Sequence, residues 1–94
     1  MTLHEFERST DDRQAPDGLS PELLALWYEK KGDWQKAHEL VQDESDHESA
    51  WVHAYLHRRE GDLSNAKYWY RRCGRPVCSD ELDREWRKIS EALL

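Results

Sequence analysis

The sequence of 94 residues has few cysteines, few glycines and no long apolar run. Two cysteines are too few for a disulfide framework, and four glycines exclude a glycine-rich repeat. Cys73 and Cys78 have neither the CxxC nor the zinc-ribbon spacing, so we expect reduced thiols. No segment has the ~20 apolar residues of a membrane helix, and the N-terminus does not resemble a signal peptide. These features predict a soluble, cytoplasmic protein with no membrane partner.

Positive charge is scarce overall but concentrated in one segment. The formal net charge of -6 makes nucleic acid an improbable partner, because its binding relies on cationic contacts to phosphate. Residues 58–75 nevertheless carry six Lys and Arg against two acidic side chains. Here we predict an anion-binding site formed by Tyr68, Arg71, Arg72 and Arg75. The alternative is a solvated basic face that offsets the acidic helices.

Capping and stop signals predict five helices between residues 19 and 94. Ser20 and the proline after it begin the first helix, and Gly32 ends it. Asp33 then caps the second helix, and Gly61-Asp62 repeats this combination between the third and fourth. Because each Gly-Asp pair closes one helix and opens the next, the four helices should form two hairpins. The five tryptophans are expected to anchor the core.

Helix boundaries and faces follow from the remaining signals. Ser45 and Glu48 have capping-box spacing, which places the start of the third helix near residue 46 or 47. Ser79 is predicted to cap the fifth helix. The inner face of the fourth helix should carry Leu63, Ala66, Trp69, Tyr70 and Cys73. Residues 1–18 are polar, carry acidic side chains and show no sustained period, so they are predicted to form a mobile tail outside a single domain of residues 19–94.

A shift of 29 residues superposes Ala25 on Ala54, Gly32-Asp33 on Gly61-Asp62 and Ala37 on Ala66. This pattern resembles the tetratricopeptide repeat, in which small residues let paired helices approach and Gly-Asp forms the corner. The resemblance covers Ser20 to Pro76 and implies two helical hairpins of an α-α superhelix, closed by a capping fifth helix. The period is shorter than the family's 34 residues. HAYLHRREGD and NAKYWYRR also resemble a family of small uncharacterised bacterial proteins.

The resemblance further implies a concave groove that binds a protein or peptide. Its lining would include Leu26, Trp51, Tyr55, Arg58 and Arg59 from the first and third helices. Aromatic rings beside arginines suit an extended peptide with an acidic end. The alternative is that the fifth helix or the N-terminal segment covers Trp51 and Tyr55 and makes them part of the core.

His53 and His57 are four residues apart on the third helix, with Glu60 one turn further on. Imidazole pairs at this spacing can bind zinc or nickel, and His38 or His47 could add a ligand from elsewhere. The segment lacks the glutamate of HExxH, so partly buried, hydrogen-bonded histidines are the alternative.

The sequence contains no arrangement that indicates catalysis, and the protein is predicted not to be an enzyme. The principal interpretation is a scaffold that binds a protein or peptide and needs no cofactor. A homodimer through the fifth helix or the N-terminal unit would compete with that partner for the same surface. The alternative is a small metal- or ligand-binding protein that uses His53, His57 and Glu60. Convergence of three histidines into an open pocket would favour the alternative, and their dispersal would favour the scaffold.

Overall fold

Six α-helices and no strands make up the protein, in a computed structural model that describes residues 1–94. In chain order the helices are α1 (Leu3–Ser9), α2 (Pro21–Lys30), α3 (Trp34–Val41), α4 (His47–Arg59), α5 (Leu63–Arg72) and α6 (Leu82–Leu93). The predicted all-α class is confirmed, whereas the predicted number of five helices is wrong by one. None of the six combines the length and the apolar character that crossing a membrane requires.

The two Gly-Asp corners fold the middle of the chain into two hairpins, α2–α3 and α4–α5. Gly32 and Gly61 have φ values of 92° and 88°, in the left-handed region where a side chain would be strained. At each corner the glycine and aspartate amides donate to carbonyls in the last turn of the preceding helix. The side chains of Asp33 and Asp62 then cap the following helices. Both predicted corners are confirmed.

Helix α4 is the centre of the molecule. It contacts α2, α3, α5 and α6, and every residue from Ser49 to His57 is buried. Helix α6 lies across α4 and α2, where the Trp86 Nε1 atom donates a 2.9 Å hydrogen bond to the Leu26 carbonyl. The radius of gyration, 12.2 Å, matches the ~12 Å of a single packed domain of this length.

Helix α1 lies inside the segment predicted to be a mobile tail. Phe6 has no exposed surface, and its ring stacks on that of Trp86 with centroids 5.4 Å apart. Nearby, the Arg87 Nε atom pairs with a Glu7 carboxylate oxygen at 3.0 Å. These contacts correct the description of residues 1–18 as a tail and account for the sixth helix. The correction depends on a tertiary contact with α6 that a single aromatic residue does not reveal.

Three further details differ from the sequence-based expectations. Asp46 rather than Ser45 caps α4, although the predicted start of the helix is confirmed. Helix α6 begins at Leu82 without a side-chain cap, not at Ser79, because the segment after α5 stays irregular. Leu63, expected on the inner face of α5, is 58% exposed, since it occupies the first position of the helix, at the corner.

Candidate metal centre

Three histidine rings meet where α3 packs against α4. His38 comes from α3, and His53 and His57 come from α4, one turn apart. One ring nitrogen from each lies within 4.8 Å of the others, and the Nε2 atoms of His38 and His53 are 2.8 Å apart. The rings of His53 and His57 are nearly parallel, whereas the His38 ring is steeply inclined to both. We call these three residues the histidine cluster.

Each imidazole of the histidine cluster is held by a different neighbour. The indole of Trp34 stacks on His38 with centroids 4.9 Å apart, and that of Trp69 stacks on His53 at 3.8 Å. The third ring, His57, is fixed by a 2.7 Å contact between its Nδ1 atom and a Glu60 oxygen. Trp34 is itself anchored, because its Nε1 atom donates to the Leu56 carbonyl at 2.7 Å. Each of the three rings is therefore held in its orientation by a neighbouring side chain.

Burial keeps His38 and His53 in the neutral form that binds metals. His53 and His57 are 4% and 6% exposed, and His38 is partly exposed. Burial, and then the neighbouring His38 and His57, lower the pKa of His53 to about 3. Burial and His57 also lower the pKa of His38. Imidazole coordinates a metal only in its neutral form, so at neutral pH His38 and His53 need no deprotonation before binding.

Hydrogen bonds within the protein satisfy the ring nitrogens of His53 only in part. His38 and His53 can share one hydrogen bond, but the buried Nδ1 atom of His53 has no partner at all. Such a buried unpaired polar atom is uncommon in native proteins. Ligands of a tetrahedral zinc ion with bonds of ~2.0–2.1 Å are about 3.3 Å apart. The Nε2 atoms of His38 and His53 would have to move about half an ångström apart to reach this separation.

Glu60 belongs to the outer part of this site. Because its carboxylate occupies Nδ1 of His57, the Nε2 atom of that ring remains free for a metal. A carboxylate behind a ligating imidazole fixes the ring and strengthens it as a donor. Of the predicted set, His53 and His57 lie together in the cluster, and Glu60 contacts only His57. The third ring is His38, one of the two further histidines named from the sequence, and only the packing of α3 on α4 selects it over His47.

The residues predicted to line a peptide groove are placed in or beside the core. Leu26, Trp51 and Tyr55 are at most 5% exposed, because α6 lies over them. Arg58 pairs with Glu85 of α6 at 2.8 Å and also donates to the Asp80 carbonyl. Only Arg59 keeps a substantially exposed side chain, and it pairs with Glu29 at 2.9 Å. The prediction of an open groove on this face is therefore corrected: α6 fills the position that a peptide would take.

The residues predicted to bind an anion remain at the surface. Tyr68 is 47% exposed, and Arg71, Arg72 and Arg75 are all exposed. Arg72 donates to the Tyr68 hydroxyl at 3.0 Å, and the Arg75 guanidinium lies over the Trp51 ring at 3.4 Å from its centroid.

Both cysteines are free thiols, and their surroundings do not activate them. Cys73 is buried and Cys78 partly buried. Burial raises the pKa of both thiols, which disfavours the reactive thiolate. Comparison with protein-family models, with curated proteins and with solved structures finds no match to this chain, so the arguments for its function rest on the geometry of these sites.

Proposed function

We propose that this protein binds one divalent transition-metal ion through His38, His53 and His57. The observation that carries the proposal is the convergence of one nitrogen from each of three rings, from two different helices, within 4.8 Å. Nitrogen ligands of this kind suit zinc, copper and nickel, and three imidazoles leave a fourth position for water or for a carboxylate. Glu60 contacts Nδ1 of His57, so its carboxylate would hold that ring in place without binding the ion itself.

The surroundings of the site favour a structural role for the metal over a catalytic one. The fourth position that three imidazoles leave can serve catalysis only if a substrate reaches it from the surface. Two of the three rings are buried, and no histidine of the cluster lines the surface cavity that is formed beside Trp34 and Glu60. A bound ion would join α3 of the first hairpin to α4 of the second. We therefore propose a non-catalytic protein whose hairpins are held together by metal.

A partner-binding scaffold is the second candidate, and one observation favours it: the cationic residues of α5 are exposed and form no ion pairs. We also propose that the two hairpins are repeat units of the tetratricopeptide type, since both corners use the same glycine conformation and aspartate cap. A homodimer would need a surface other than the stripe of α6, because Trp86 and Ile89 are already fully buried. The two free thiols suit a reducing cytoplasm.

Titration with zinc tests the metal proposal. We expect one equivalent of zinc to bind, as measured by calorimetry, and nickel or copper to compete for the same site. Binding to the folded state alone adds about 2.7 kcal/mol to the free energy of unfolding at a free zinc concentration about 100 times Kd. For a domain of this size the midpoint of thermal unfolding should rise by roughly 10–20 °C. Addition of EDTA should reverse the shift.

Histidine variants separate this site from adventitious binding. His38→Gln, His53→Gln and His57→Gln should each abolish the stabilisation, while His4→Gln and His47→Gln serve as matched controls because both histidines are exposed and outside the cluster. Glu60→Gln should weaken zinc about 10–100-fold without changing the stoichiometry. The proposal is wrong if micromolar zinc does not bind, or if zinc binds equally well to the cluster variants.

A further inference from the structure

The strongest separation of charge in this protein lies along α5. From Leu63 to Arg75 the chain carries four cationic side chains, Lys67, Arg71, Arg72 and Arg75, and no acidic one. The rest of the chain then holds ten Lys and Arg against twenty Asp and Glu. We call Lys67, Tyr68, Arg71 and Arg72, with Arg75 just beyond the helix, the basic face of α5. The positive charge of this acidic protein is thus concentrated on one helix and the residues just after it.

The cations of the basic face form no ion pairs inside the molecule. The seven ion pairs of the protein involve Lys30, His57, Arg58, Arg59, Arg87 and Lys88, and none involves a residue of this face. Carboxylates outnumber cations over the whole chain, so a shortage of carboxylates does not explain why the basic face has no ion pairs. The guanidinium groups of the face remain free to pair with an anion from another molecule.

Two of these arginines are nevertheless held in place. The Arg72 guanidinium donates to the Tyr68 hydroxyl at 3.0 Å and lies over the Trp69 ring, 5.3 Å from its centroid. Arg75 lies over the Trp51 ring at 3.4 Å. Ordering a long side chain on binding costs about 0.5–1.5 kcal/mol, so a guanidinium that is already ordered binds an anion at lower entropic cost. An ordinary solvated arginine lacks this advantage.

The length and composition of the face identify the kind of partner. Ten residues of helix span about 15 Å, and Lys67 to Arg71 and Tyr68 to Arg72 are each one turn apart. Two large side chains on α5, Leu63 and Tyr68, are 58% and 47% exposed and provide apolar contact. A nucleic-acid strand longer than 15 Å would extend past the basic face and lie against the acidic remainder of the molecule. Because charges attract over only ~10 Å at ordinary salt, the basic face would not offset the repulsion of those more distant phosphates. A short acidic protein segment would not extend past the basic face.

We propose that the basic face of α5 docks an acidic protein segment. Arg71 and Arg72 pair with carboxylates, and Tyr68 supplies apolar contact area. This docking surface is separate from the predicted groove under α6 and does not depend on metal binding.

Fluorescence anisotropy with a short labelled peptide rich in glutamate and containing leucine tests the proposal at ionic strength of ~0.01 M. We expect saturable, salt-sensitive binding that falls at least about tenfold in Arg71→Glu/Arg72→Glu. The matched control is Arg13→Glu/Arg84→Glu, which makes the same change in net charge at exposed positions outside α5. It should change the affinity by no more than about twofold. Arg72→Lys should lose several-fold, since lysine keeps the charge but not the planar fork.

Three separate results would overturn the proposed docking of an acidic segment on α5. Absence of peptide binding at low salt overturns the proposal, as does an equal loss in the control variant. Single-stranded RNA of the same charge that binds as tightly as the peptide also overturns it, because the face would then recognise phosphate. Circular dichroism and thermal unfolding of the α5 variants establish that any loss is not a loss of fold.

Discussion

Three glutamates are buried in this protein, and each is matched to polar groups of α4. Glu22 accepts a hydrogen bond from Ser49 at 2.7 Å, Glu29 contacts Tyr55 and Arg59, and Glu85 pairs with Arg58. A buried carboxylate is costly unless it is paired or hydrogen-bonded. The spacing of these residues along α2 and α6 therefore helps to determine how those helices lie on α4.

Glu29 provides a test at the scale of one residue. Burial, which outweighs the opposing effect of Arg59, raises its pKa above the ordinary value of 4.5. The folded state then holds this proton more tightly than the unfolded state. The stability that Glu29 contributes is fully present below pH ~4.5 and is lost as the pH rises through the raised pKa.

We expect the free energy of unfolding of the wild type, relative to Glu29→Gln, to fall as the pH rises from ~4 toward neutrality. Urea unfolding at a series of pH values measures this, and an NMR titration of the Glu29 carboxyl gives the pKa directly. The exposed variant Glu44→Gln is the reference for general charge effects. A relative stability that rises with pH would show that the Arg59 ion pair outweighs burial.

At the scale of the element, local chemistry decides how well the helices could be predicted. The Gly-Asp corners were predictable because a left-handed glycine and an aspartate cap act within a few residues of each other. Helix α1 was not. Its capping box of Thr2 and Glu5 is present in the sequence, but seven residues form a marginal helix without a surface to pack on. That surface is Trp86, eighty residues away along the chain.

The docking of α1 on α6 predicts a measurable cost for Phe6→Ala. Loss of a buried phenylalanine costs about 3–5 kcal/mol, and undocking of α1 instead of formation of a cavity would limit the loss to the lower end of that range. Urea unfolding should show this loss, and amides of α1 should lose protection from hydrogen exchange before those of α4. His4→Ala, at an exposed position of the same helix, should be nearly neutral. Equal stability of both variants would mean that α1 contributes little.

At the scale of the whole molecule, long-range packing overturned the expectation of an open peptide groove and strengthened the expectation of a histidine metal site. The repeat predicted two hairpins, but the position of α6 over Trp51 and Tyr55 depends on contacts between distant segments. The pair His53 and His57 was visible from its spacing alone. That His38 completes the histidine cluster required the packing of one hairpin on the other, which no local pattern specifies.

Glu85 joins three helices, and its removal should affect the whole fold. It accepts hydrogen bonds from Tyr70 of α5 at 2.6–2.7 Å and from Arg58 of α4 at 2.8 Å. Glu85→Ala would leave a partly buried arginine without its carboxylate and a buried hydroxyl without an acceptor, at a cost of about 3–5 kcal/mol. Glu85→Gln retains acceptor capacity and should cost about 1–3 kcal/mol.

Equilibrium urea unfolding followed by circular dichroism compares these two variants. The exposed residue Glu81 provides the control, since Glu81→Ala should change the free energy of unfolding by less than about 0.5 kcal/mol. If Glu85→Ala were no more damaging than Glu81→Ala, the contact between α6 and α4 would not depend on this carboxylate.

Trp69 contacts both of the proposed sites. The His53 ring stacks on its indole at 3.8 Å, and the Arg72 guanidinium lies 5.3 Å from the centroid of the same ring. An ion bound to His53 and a peptide bound to Arg72 would therefore share one indole neighbour. Thermodynamic reciprocity then applies: whatever factor zinc introduces into the affinity for the peptide, the peptide must introduce into the affinity for zinc.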